Sequence, residues 1–65
     1  MFFEFITKNN EQIAININLI LFITSYKNTT IIYDTDGNDY RTNESYTSII
    51  NRLNDLKSLK TWQNV

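Results

Sequence analysis

A change of hydrophobic period near residue 45 constrains this chain more than any other feature. Beyond it, Tyr46, Ile49, Ile50, Leu53 and Leu56 recur at spacings of three and four. That spacing stacks side chains on one face of a helix, whereas alternation places them on one face of a strand. Before it, the apolar residues come in short β-branched and aromatic runs separated by turn formers. The chain therefore reads as strands first and one amphipathic helix last, which is an α+β arrangement.

Five strands are expected, at about 2–7, 12–17, 21–26, 29–34 and 38–42, with the helix at about 45–58. Ile13, Ile15 and Ile17 alternate with Ala14 and Asn16 and give the second strand one strongly apolar face. Asn9-Asn10 and Lys27-Asn28 mark turns, since Asn tolerates the left-handed conformation. Asp36-Gly37 is the strongest hairpin signal and holds the only Gly. Between Asn16 and Ile20 two readings stand open: Asn18 caps a single helical turn, or the strand bends. Asn43 and Ser45 are both candidate helix N-caps. Glu44 lies near the positive end of the helix dipole, and Lys57 and Lys60 near the negative end. The resulting expectation is a small antiparallel sheet of four to five strands with one C-terminal amphipathic helix packed on one face, all in a single domain over 1–65.

At 65 residues such a domain buries a small core, and folds of this size often lean on disulfides, metals or self-association. There is no Cys and no His, which removes disulfides, thiolate sites and imidazole ligands. No cofactor is expected. The chemistry inventory is equally thin. His leads general acid–base catalysis, and no base stands beside Ser25, Ser45, Ser48 or Ser58 to activate a hydroxyl. One Gly cannot build a phosphate-cradling loop. Asp34-Thr35-Asp36-Gly37-Asn38-Asp39 is shaped like a calcium loop, but counting from Asp34 puts Asp39 where Gly is needed and Ser45 where a bidentate Glu is needed. The chain is expected not to be an enzyme, and that acidic run is expected to be a plain turn.

Charge narrows the partners. The formal net charge is -1, from six Lys plus Arg against seven Asp plus Glu. Nucleic-acid binding rests on clustered basic charge, so it is disfavoured. Arg52, Lys57 and Lys60 read as a solvated helix face. The longest apolar stretch, Leu19 to Ile23, is far shorter than the ~20 residues a bilayer requires, and the N-terminus lacks a basic signal region. No membrane role is expected, and the default location is the cytoplasm. The abundance of Asn and Ile with scarce Gly, Pro and Ala is that of AT-rich coding sequence, as in a low-GC bacterium, its phage or a mobile element; the host cytoplasm is then the setting.

From Ile15 onward, Ile-Asn-Ile-Asn-Leu-Ile-Leu-Phe-Ile is followed by a turn, Thr-Ile-Ile-Tyr, Asp-Gly, Tyr40-Arg41-Thr42, Glu44-Ser45 and the helix. This order resembles the N-terminal half of LytTR-type DNA-binding domains and is similar to short flagellar FlbD-like proteins, over roughly residues 15–56. LytTR domains continue past the helix with more strands and a basic, His-containing segment that has no counterpart in residues 57–65. The resemblance implies a strand–hairpin–helix fold and carries over no DNA-contacting residue.

Surplus apolar surface is the positive signal. Phe2, Phe3 and Phe5 put large side chains on both faces of the first strand, and Trp62 adds an aromatic beyond the helical stripe. All four are interface candidates, and an uncovered strand edge favours self-association, most simply a twofold dimer. The expected function is a small non-enzymatic protein-binding regulator that inhibits or recruits a host protein. Two alternatives are a LytTR-like nucleic-acid binder and a small-molecule or nucleotide binder with a pocket between subunits.

Overall fold

The computed structural model describes the backbone of residues 1–63 and side chains through residue 57. Its elements are β1 (Phe2–Ile6), β2 (Gln12–Asn16), a single 3-10 turn (Ile17–Leu19), β3 (Ile20–Tyr26), β4 (Thr29–Asp34), β5 (Asp39–Thr42) and α1 (Tyr46–Gln63). The fold is α+β, with antiparallel strands and one C-terminal helix. The five strands divide into two sheets, β1-β2 and β3-β4-β5.

The division has a local cause. Asn16 ends β2, and its side chain accepts a hydrogen bond from the Asn18 backbone N–H at 3.0 Å. The cap of the short turn is therefore Asn16 and not Asn18. The turn interrupts the extended chain between β2 and β3 and is pinned on both sides. Ile17 N–H donates to Met1 C=O, and Thr35 N–H donates to Leu19 C=O. At the other end the sheets are stitched together: Lys8 N–H donates to Arg41 C=O at 2.9 Å, and the Thr42 hydroxyl donates to Ile6 C=O at 2.8 Å. The two sheets thus wrap one core in place of lying flat.

That core consists of Phe3, Phe5, Ile15, Ile17, Ile32, Ile49 and Leu53. β1 sends the alternate residues Phe3 and Phe5 inward, β2 and the short turn add Ile15 and Ile17, β4 adds Ile32, and α1 adds Ile49 and Leu53 from one face; Ile20 and Ile23 of β3 and Tyr40 of β5 pack against them partly buried. Leu56 packs against the same cluster, while Tyr46 of the expected stripe is largely exposed. Three turns use the left-handed region. Lys27 and Asn28 both have positive φ, +48° and +62°, which makes the β3–β4 connection a two-residue mirror-type turn. Asn10 and Gly37 each supply one left-handed residue to longer loops. Among the described residues no helix is long and apolar enough to cross a membrane.

Candidate functional site

The structure separates three of the four interface candidates. Phe3 and Phe5 are 1% and 3% exposed and sit in the core, so their assignment to an interface is corrected. The register pairs Phe3 with Ile15 and Phe5 with Ile13, which turns those side chains inward with the isoleucine face of β2. The Phe3 and Phe5 rings stack at 5.8 Å, and Tyr40 meets Phe5 edge-on at 5.9 Å. Phe2 points the other way and is 61% exposed, on the same face of β1 as exposed Ile6. The side chain of Trp62 lies outside the described residues.

The polar groups of the acidic run and of the helix start are held by partners within the chain. Asp34 accepts from the backbone N–H groups of Asp36 and Asn38, at 3.0 and 2.8 Å, from the Asn38 amide at 3.1 Å and from the Tyr40 hydroxyl at 3.2 Å. Burial alone would raise its pKa, but these donors together outweigh burial and hold the carboxyl below its ordinary value. Burial, followed by the nearby Asp34 carboxylate, pushes the Tyr40 phenol up. The acidic run is thus organised around its own first carboxylate.

Arg52 does similar work where the helix meets β1. Its guanidinium binds both carboxylate oxygens of Glu44, at 2.8 and 2.7 Å, and donates to Glu4 C=O at 2.9 Å. It also lies over the Phe3 ring, 4.4 Å from the centroid. The Arg52 hydrogen bonds are the largest influence on the Glu44 carboxyl; burial opposes them, and with the Ser48 hydroxyl and the Arg52 charge they hold it below its ordinary value. Ser45 is the helix cap, since its side chain accepts from Ser48 N–H at 3.1 Å. The buried hydroxyls of Thr30 and Thr42 complete the joint, with Thr30 donating to Glu44 C=O and Thr42 accepting from Glu44 N–H.

The feature with binding capacity is β3. It is the outermost strand of its sheet, with β4 on one side and, among the described residues, no strand on the other. Leu21, Phe22 and Tyr26 are 61%, 48% and 63% exposed along it. Phe22 stacks on Tyr33 of β4 at 4.3 Å, so an aromatic pair stands on the outer face of the sheet. Between β3 and α1 lies a groove of about 220 Å³, lined by Leu21, Phe22 and Ile23 from the strand and by Tyr46, Ile50, Leu53, Asn54 and Lys57 from the helix.

The register fixes which backbone groups face the open edge. In a two-residue hairpin the flanking residues, Tyr26 and Thr29, exchange both hydrogen bonds, and the pattern alternates along the ladder. Thr24 and Phe22 therefore bond toward β4. The N–H and C=O groups of Ile23 and Ser25 point outward, free to pair. Leu21 falls at the irregularity between Ile20 and Phe22 and lies out of step. Residues 12–26 carry no charge, so β3 lacks the charged or proline guard that usually protects an edge. That uncharged run was visible in the sequence; that it ends at an open edge was not.

No family model, curated protein or solved structure matches the chain.

Proposed function

We propose that this protein is a small non-enzymatic protein-binding regulator, and that it works by accepting an extended strand of a protein at the open edge of β3. The carrying observation is the coincidence on one strand of outward-facing backbone groups, exposed Leu21, Phe22 and Tyr26, and the groove beside α1. Strand addition draws its affinity from main-chain hydrogen bonds and its selectivity from alternate side chains, and β3 offers both. A protein strand fits the edge better than a polyanion does. Arg41 pairs with Asp39, and Arg52 is held by Glu44 and Glu4, so two of the basic groups are already committed within the chain.

The test uses the protein immobilised at low density, so that no second copy is within reach, and panned against a displayed library of random dodecapeptides. Ser25→Pro serves as the comparison, since it deletes an outward N–H while leaving the bonds to β4. Peptides rich in alternating apolar residues are expected, with binding at least tenfold weaker to Ser25→Pro. Recovery of no such peptide, or equal binding to both forms, overturns the reading.

A further inference from the structure

We infer that the strand accepted at this edge is β3 of a second copy, running antiparallel about a twofold axis through Thr24. The inference rests on the strand-accepting reading of β3 and adds the identity and register of the occupant. Three observations select it.

The first is the position of the free backbone groups. Only Ile23 and Ser25 present regular outward N–H and C=O groups, because Leu21 sits at the bulge and Lys27 in the turn. A twofold at Thr24 pairs Ile23 with Ser25 of the second copy, and Ser25 with its Ile23. Both free residues of both copies are then used, giving two hydrogen-bonded pairs and four bonds. A twofold at Ile23 would need the bulged Leu21 in the ladder. One at Ser25 would set Ile23 against Lys27 of the turn. Neither uses the edge fully.

The second is side-chain pairing. This register places Phe22 opposite Tyr26 of the second copy, on the outer face where Phe22 already stacks on Tyr33. Each exposed aromatic of one strand thereby covers an exposed aromatic of the other, and cross-strand aromatic pairs are favourable. The three-stranded sheets of the two copies join into one six-stranded sheet.

The third is charge. Self-pairing normally sets like charges against each other across the axis. Ile20–Tyr26 has none. Lys27 faces Leu21 of the second copy and stays clear of its own counterpart.

The chain has no Cys, so one introduced thiol reports the axis cleanly. Directly opposed residues in a pair without hydrogen bonds have Cβ atoms about 4.5–5.5 Å apart, close to the span of a disulfide. Thr24→Cys is expected to give a covalent dimer under mild oxidation at a rate at least tenfold above Asn9→Cys, which places the thiol in the exposed β1–β2 turn. Independently of any cross-link, Thr24→Lys and Thr24→Glu are each expected to sediment as monomers at concentrations where the wild type is dimeric, and their mixture is expected to recover the dimer. A wild type that stays monomeric up to millimolar concentration overturns the inference; so does a dimer in which Thr24→Cys links no faster than Asn9→Cys and the Lys and Glu forms fail to complement. If peptides that depend on Ser25 are nevertheless recovered in the display experiment, strand acceptance stands and only the second copy is excluded. If neither result appears, both readings fall.

Discussion

Single side chains carry much of this small fold. Asp34 is read most naturally from sequence as part of an acidic turn, yet it is the acceptor that sets the β4–β5 loop. Its lowered pKa has a direct consequence for acid stability. A carboxyl whose folded value lies below its unfolded value contributes stability that is complete above the unfolded value and lost as pH falls through the folded one. Glu44 acts in the same direction. The melting temperature is therefore expected to be flat from neutral pH down to about pH 5 and to fall below about pH 4, the ordinary carboxylate range. Asp34→Asn should lower the plateau and reduce the acid slope, as followed by circular dichroism melts across pH. A plateau that survives the substitution with an unchanged slope would remove Asp34 from this role. Arg52 makes a second residue-scale case. Its planar group meets Glu44 with two bonds and Phe3 with its face, so Arg52→Lys keeps the charge and loses both geometries. A loss of about 1–2 kcal/mol for Arg52→Ala, with little recovery in Arg52→Lys, is expected in urea unfolding.

At the scale of elements, the turns show where local chemistry and tertiary demand disagree. Lys27 holds a left-handed conformation that costs an ordinary L-residue about 1–2 kcal/mol. Asn-Gly suits a mirror-type turn better than Lys-Asn does. The double substitution Lys27→Asn, Asn28→Gly is expected to raise stability by about 1 kcal/mol, measured as a shift in the denaturation midpoint at constant slope. The sequence marked every one of these turns through Asn, Asp and Gly. It also marked the helix through its period, and Ser45 as one of two candidate caps. The faces of β1 were less legible. Four of its five residues are apolar, so alternation gave no direction. Pairing with β2 decided it, because a shift of one residue would have exchanged Phe3 and Phe5 for Phe2, Glu4 and Ile6.

For the whole molecule the decisive quantity is how little core there is to lose. Stability of about 0.05–0.15 kcal/mol per residue implies a total of only about 3–10 kcal/mol for a chain this short. Ile32 and Ile49 are fully enclosed at the meeting point of sheet and helix. Truncating either to Ala costs about 2–5 kcal/mol, so Ile49→Ala is expected to be largely unfolded at 37 °C, with the loss of cooperative melting by circular dichroism as the check. Association through β3 would add stability that depends on concentration, because a partner that binds only the folded state shifts the unfolding equilibrium. The wild-type melting temperature is then expected to rise with protein concentration, and that dependence should vanish in Thr24→Lys. A concentration-independent melt would argue against any coupling of folding to assembly.

The sequence by itself determined the α+β class, the sequence order of strands and helix, the turn positions and the absence of Cys and His, because these follow from residue period, local backbone preference and residue inventory. Only the tertiary structure decided that Asn16 breaks the strands into two sheets, that Phe3 and Phe5 belong inside, and that Arg52 is a joint between helix and sheet. It alone placed the uncharged β3 at an edge. The physical reason is that burial and edge position are properties of pairing, and a strand carries the same side chains whether a neighbour covers it or not.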